Sequence, residues 1–317
     1  MRSAAHPERP RPLPAAGSSR LRTWLARSKQ LFDALGEFAL PGACVGCGCP
    51  LGREPGPACG LCWSRVEPLP APCCDRCGHP RWEAEPSAPC AWCALLPPWV
   101  RAVRSATWIR HGSTASSLVH ALKYQGWTGL AVPMGGRIAA LRWPADVERE
   151  RACLVPVPLT PWRRRERGHN QAEALAWALA PHWGVPVVAA LRRVRGDTSQ
   201  TRLTPGERMV NVTRAFTVDP AVERSLVGAH VVLIDDVVTT AATLLACAAA
   251  LVDGGARIVS CATFGRAPAA GDRPHLGDRV PWASASASTG SAASAGRFSA
   301  PPRCAGTPAS TSSASTT

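Results

Sequence analysis

Residues 231–243 read VVLIDDVVTTAAT. Four apolar, mostly β-branched residues make a short strand hydrophobic on both faces, as in a sheet covered on both sides. Asp235 and Asp236 follow at its carboxyl end. Next comes a short loop of small and hydroxyl residues, then a helical segment, Thr243–Val252, closed by Gly254-Gly255. Such a loop at a helix N-terminus is a phosphate cradle. The backbone N–H groups of Thr240–Thr243 face an anion, and the threonine hydroxyls add donors. Two carboxylates beside it suit the vicinal hydroxyls of a ribose, or a magnesium ion. An ordinary strand leading into a capped helix would also use Asp and Thr, but it would not need both acids and three threonines.

Outward from this stretch the pattern alternates. Strands are expected at Val103–Ile109, Cys153–Val157, Val185–Ala190, His230–Ile234 and Arg257–Phe264. Helices are expected at Ser116–Leu122, Met134–Leu141, Asn170–Ala180 and Thr243–Val252, with a polar loop over Asp197–Asn211. Alternation of this kind predicts an α/β fold with a mostly parallel sheet. Residues 1–20, rich in Pro and Arg, and residues 266–317, rich in Ser, Ala and Thr, read as disordered. Leu21–Leu40 carries apolar residues at helical spacing up to Pro41 and reads as a helix leading into the cysteine-rich region.

Ten of the fourteen cysteines lie between Cys44 and Cys93. Cys44-x-x-Cys47 precedes Cys59-x-x-Cys62, and Cys74-x-x-Cys77 precedes Cys90-x-x-Cys93. Each C-x-x-C knuckle brings two thiolates to one ion, and two knuckles complete a tetrahedron. The repeat predicts two structural zinc ions, each holding a unit too small for a core of its own. Pairing within each unit is the simplest arrangement; a crossed one is compatible with the same spacing. All-cysteine sites leave no open coordination position, so zinc catalysis is not expected.

The 317 residues carry a net charge of +14, nearly all from arginine. Residues 151–218 hold eleven Arg against four acids, a surplus of seven that suggests a phosphate-bearing partner. A GC-rich genome gives the same arginine bias without a function. No apolar run reaches the ~18 residues of a membrane span. The arginine-rich N-terminus has no long apolar core and does not read as a secretory signal.

Segment 231–243 resembles the phosphoribosyl-diphosphate (PRPP) motif of type I phosphoribosyltransferases: apolar strand, Asp-Asp, two variable residues, then Thr-Thr-Gly-x-Thr. With it stand LKYQG at 122–126, VPVPL at 155–159, RRRERGHNQA at 163–172, and the spaced set Thr198, Gln200, Leu203, Arg208, Asn211 and Val212. Together with the cysteine repeat, this combination resembles the ComF family from about Leu21 to about Arg266.

The resemblance implies a double zinc ribbon over residues 21–98 and a phosphoribosyltransferase-like domain over 99–265. It implies a cytoplasmic bacterial protein tied to DNA uptake in competence. By analogy, Asp235 and Asp236 hold the ribose hydroxyls and serve as catalytic residues. Thr239, Thr240, Ala241, Ala242 and Thr243 hold the 5′-phosphate. The loop after Val157, with Arg163, Arg164, Arg165 and Arg167, meets the diphosphate and its magnesium, and Lys123 joins the ligand-binding set. The family motif has Gly where this chain has Ala241; alanine in a left-handed conformation costs on the order of 1 kcal/mol. A transferase is one reading. The other is a non-catalytic module that binds single-stranded DNA through the basic face, with Trp162, Trp108 and Tyr124 for stacking, or a scaffold contacting DNA-uptake helicase machinery.

Overall fold

The computed structural model describes residues 42–52, 56–81, 90–194 and 215–268. In chain order the elements are α1 (Gly60–Ser64), β1 (Val100–Trp108), α2 (Thr114–Tyr124), α3 (Ala131–Ala139), α4 (Ala145–Glu150), β2 (Arg151–Pro156), α5 (Pro161–Arg167), α6 (Gln171–Trp183), β3 (Leu191–Arg193), β4 (Phe216–Val218), α7 (Glu223–Leu226), β5 (His230–Val238), α8 (Ala242–Asp253) and β6 (Ile258–Arg266). The expected Leu21–Leu40 helix, the N-terminal tail, the C-terminal tail beyond residue 268 and the Asp197–Asn211 loop lie outside the described residues; Arg266, read as the first residue of that tail, is buried and ends β6.

Four strands form a parallel sheet in the order β1-β6-β5-β2. Both faces are covered, as the apolar runs require. On one face Val231, Leu233, Val259 and Cys261 pack with Leu244, Cys247 and Leu251 of α8. On the other, Val232, Ile234, Ala262 and Phe264 pack with Leu118 and Leu122 of α2, Met134 and Ile138 of α3, and Leu175 and Leu179 of α6. The two helices α3 and α6 approach closely at Gly135, where a Cβ would stand 2.9 Å from the Ala178 Cβ.

Three expectations change. Val185–Ala190 is not a full strand. It meets β2 at a single parallel bridge, Leu154 with Val187. Pro186 has no N–H to extend that ladder, and the chain turns away into β3, which pairs antiparallel with β4. The segment after Val157 is no open loop: Thr160 caps α5, its side chain accepting from the Arg163 N–H at 3.1 Å, and Pro161 occupies the first turn. Finally, β5 does not stop at Ile234 but carries both aspartates and ends at Val238.

The outer edge of β1 would expose unpaired backbone groups. The cysteine-rich region covers it. Pro68 forms an antiparallel bridge with Thr107, and the Val103 N–H donates to the Arg76 carbonyl at 2.8 Å. A guanidinium N–H of Arg266, from the neighbouring strand, donates to the Cys77 carbonyl at 2.6 Å. The two cysteine units sit on opposite faces of the sheet. Cys44, Cys62 and Val66 join the core with α2 and α3, whereas Cys77, Trp92 and Leu96 join the core with α8.

Gly78 is the tightest point of this seam. Its φ is +65°, and a Cβ there would lie 2.4 Å from the Val103 carbonyl oxygen. Gly78→Ala is therefore expected to lower stability by about 2–4 kcal/mol, strain and overlap combined, read by chemical denaturation. A loss under about 0.5 kcal/mol would show that the seam is loose.

Candidate functional site

β2 ends at Pro156, level with Ile234 of β5, which runs on to Val238. Strand alternation sends the two aspartates to opposite faces. Asp235 lines a small pocket of about 50 Å³ together with residues 237–244, so Thr239, Thr240, Ala241, Ala242 and Thr243 are all gathered around it. Asp236, 3% exposed, points to the other face, where the Lys123 Nζ stands 2.9 Å from its Oδ2. The sequence places both acids at one ligand; the fold gives one to the pocket and the other to an internal ion pair.

Asp235 keeps partial exposure, but surrounding protein removes most of its water. That burial, and then the neighbouring Asp236 carboxylate, push its carboxyl well above the usual range. Its Oδ1 accepts from the Asp236 N–H at 2.8 Å. Asp236 Oδ1 in turn accepts from the Val237 N–H at 2.8 Å.

Ala241 has φ 60° and ψ 0°, the one left-handed non-glycine residue among those described. It stands at the N-cap of α8, and no side chain caps that helix. The first-turn N–H groups are therefore free of a capping oxygen, and the helix dipole adds to their attraction for an anion.

Lys123 lies in the last turn of α2, where a cation is favoured. Next to it, Tyr124 carries the Arg167 guanidinium over its ring, 4.7 Å from the centroid. His169 ties the same two helices together. Its Nε2 is 2.6 Å from the Leu122 carbonyl and its Nδ1 2.9 Å from the Arg167 carbonyl. With a backbone carbonyl facing each ring nitrogen, His169 braces the junction of these two helices. Asn170 completes the junction: its amide donates to the Val157 carbonyl at 3.1 Å and its Oδ1 caps α6.

Arg163, Arg164 and Arg165 follow on α5, beyond the carboxyl end of β2. Arg164 pairs with Glu173 at 3.3 Å, and Arg165 is exposed. Trp162 and Tyr124 are exposed beside them, but Trp108, 5% exposed, belongs to the core and cannot stack on a ligand. The brace at His169 and the helix carrying the arginines were missed in the sequence. For the helix a signal existed: Thr160-Pro161 is a cap followed by an N1 proline, and Gly168, at φ 74°, closes it.

The eight cysteines converge as two sets of four, 44/47/59/62 and 74/77/90/93. Sγ separations are 3.6 Å for Cys44–Cys62, 3.8 Å for Cys47–Cys59, 3.4 Å for Cys74–Cys93 and 3.5 Å for Cys77–Cys90. A tetrahedron with Zn–S near 2.3 Å has edges of about 3.8 Å, so the donor sets fit zinc, paired within each unit. The thiols' charges ask for a cation too. Burial opposes ionisation of Cys44, but hydrogen bonds from the Cys59, Gly46 and Cys47 backbone outweigh it and hold it at about 7. Cys62, buried and beside it, is pushed up to about 12. A bound dication brings all four to the thiolate form. Cys49, Cys73 and His79 join neither set; His79 packs against Trp92 at 4.9 Å.

A family model of the phosphoribosyl transferase domain matches residues 170–283. The chain is 33% identical over 235 residues to the DNA utilization protein YhgH of Salmonella typhimurium, covering 70% of this chain and 96% of that one. It is 30% identical over 239 residues to the protein of the same name from Escherichia coli, with the same coverage. Over 93 residues it is 32% identical to Competence protein F of Haemophilus influenzae, 29% of this chain and 40% of that one. No helix among the described residues is long and apolar enough to cross a membrane.

Two outcomes follow from this geometry. Metal analysis of the purified protein is expected to return two zinc ions per chain, one for each set; a content near one would remove one ribbon. The second concerns Asp235, whose carboxyl is raised on folding. Folding then favours its protonated form, so its contribution is fully present below the ordinary carboxylate value of about 3.9 and is lost as pH rises through the folded value. Asp235→Asn removes that loss and keeps the oxygen that accepts from Asp236. The variant is expected to be more stable than the parent at neutral pH, the advantage vanishing near pH 4 or below, by denaturation at several pH values. A variant less stable at neutral pH would mean an ionised carboxylate held by a cation.

Proposed function

The chain belongs to the ComF family of phosphoribosyltransferase-domain proteins, and on that premise we propose that it binds PRPP, or a related phosphoribosyl ligand, in the pocket of Asp235 and the 239–243 loop. In this reading residues 21–98 are the zinc-ribbon part and residues 99–265 the ligand-binding part. The protein acts in the cytoplasm, in the uptake or processing of DNA, with single-stranded DNA and helicase machinery as partners. The observation that carries the reading is the left-handed Ala241 at the uncapped start of α8, facing the same pocket as Asp235.

The chemistry follows from charge. Backbone N–H groups of α8 take the 5′-phosphate, with Thr239, Thr240 and Thr243 supplying hydroxyls. Asp235 offers its carboxyl to a ribose hydroxyl. Magnesium arrives with the diphosphate, as part of the ligand. Departure of diphosphate from the ribose C1 would leave positive charge on the ring, toward which Asp235 presents its carboxyl oxygens, while Arg163 and Arg165 meet the departing anion. Asp236 acts at one remove: paired with Lys123, it fixes the end of α2 and so the rim on which Tyr124 and Arg167 stand. Exposed Trp162 and Tyr124 among arginines favour a second reading, in which the same rim holds a nucleic-acid strand.

Calorimetric titration with PRPP and magnesium tests the first reading. Saturable binding is expected, abolished by Asp235→Asn with Asp236→Asn. Ala241→Gly, which relieves the left-handed strain and removes a methyl group from the cradle, should bind as tightly or up to about tenfold tighter. Absence of binding by both the parent and the glycine variant would sink the phosphoribosyl reading.

A further inference from the structure

Far from the aspartates, with β6 between β5 and β1, a cleft of about 640 Å³ opens at the sheet's covered edge. Asp75, Arg76, Arg101, Arg104, Arg142 and Trp143 line it. Its volume falls in the ordinary range of ligand sites, about 300–1,000 Å³. The walls come from three remote segments. Asp75 and Arg76 are the two residues inside the Cys74-x-x-Cys77 knuckle, Arg101 and Arg104 belong to β1, and Arg142 and Trp143 follow α3. The cleft thus exists only where the second cysteine unit docks on the sheet.

The four guanidinium groups are not equivalent. Arg101 is neutralised by Asp146 through two bonds of 2.6 and 2.8 Å. Arg76 donates to the carbonyls of Leu96 and Pro97 at 3.0 and 2.8 Å. Arg104 donates to the carbonyls of Arg142 and Asp75 at 3.0 and 2.6 Å, and lies over the Trp143 ring at 5.8 Å. Carbonyls satisfy the donors of Arg76 and Arg104 without cancelling their charge. Arg142 is exposed, and its side chain meets no partner among the described residues. Against these three charges stands one lining carboxylate, Asp75. A concave wall with such a surplus focuses its field on an anion.

We propose that this cleft binds phosphate groups, those of a nucleotide-sized ligand or of a single nucleic-acid strand threading the seam. The exposed Arg142 guanidinium presents the fork that matches phosphate oxygens, and Arg76 and Arg104 add positive charge behind it. Trp143 is only 8% exposed and supports Arg104; it is no platform for a base. The site is separate from the phosphoribosyl pocket and stands whether or not PRPP binds there.

The decisive variant is Arg142→Glu, at an exposed side chain whose backbone carbonyl, the partner of Arg104, is untouched. Zinc content and thermal melting serve as folding controls. A short oligothymidylate and inorganic pyrophosphate are titrated into the parent protein and the variant at several salt concentrations. Pyrophosphate held at the phosphoribosyl site is common to both proteins, so their difference reports the cleft. The expected result is a loss of tenfold or more in the variant, with the oligonucleotide's salt slope reduced by about 0.7 for each phosphate that the variant no longer neutralises. Loss for the oligonucleotide identifies a strand as the source of phosphate. Loss for pyrophosphate alone identifies a small phosphate ligand. Variant affinities within twofold of the parent for both probes, or no binding by the parent, would overturn the proposal. Binding of PRPP by an otherwise unaffected variant keeps that outcome distinct from failure of the phosphoribosyl reading.

Discussion

The last strand of a parallel sheet has no partner for its outer backbone groups, and here that strand is β1. A helix cannot supply the missing hydrogen bonds, because its own are used internally. The chain solves this with the linker and knuckles of its cysteine region, which offer Pro68 and Arg76 to β1 and receive Arg266 from β6. Without metal those knuckles have almost no apolar core. The order of the sheet edge therefore rests on eight sulfurs, and with it rests the cleft that forms along the seam.

At the opposite side of the sheet the protein tolerates two local costs. Ala241 holds a left-handed backbone that glycine would adopt freely. Asp235 holds a carboxyl in surroundings that disfavour its charge. Both lie within one pocket, and strain gathered at one place over-determined by a rigid strand and helix is the usual mark of a working site. Relief of either would gain stability, which is the familiar opposition between stability and function. Asp236 shows the contrary arrangement: a carboxylate of the same dipeptide, less exposed still, made acceptable by Lys123.

Much of this was legible in the residues themselves. The apolar run ending in Asp-Asp announced a buried strand at a ligand edge, and four C-x-x-C pairs announced two metal units, because both patterns are local and period-bound. The division of Asp235 from Asp236 follows from the two-residue period of a strand, once that strand is known to continue to Val238. What stayed hidden depends on the meeting of distant segments. Trp108 gave no sign that it would be buried, and Val185–Ala190 had strand composition but met β2 only at Val187. The two carbonyls around His169, and the approach of Arg142 to the Cys74–Cys77 knuckle, are tertiary facts with no signature in spacing.

The two cysteine units look like copies in the sequence, yet each has been given a different half of the molecule to protect. One faces α2 and α3, the other faces α8, and the chain passes between them around the rim of the sheet. A duplication placed astride an edge in this way ceases to be a redundancy. Each copy is surrounded by neighbours that the other never meets, so their surfaces are free to diverge while their metal ligands are not. Such units resemble two differently cut keys on one ring, and exchanging or deleting either removes part of the cover from one face of the same sheet.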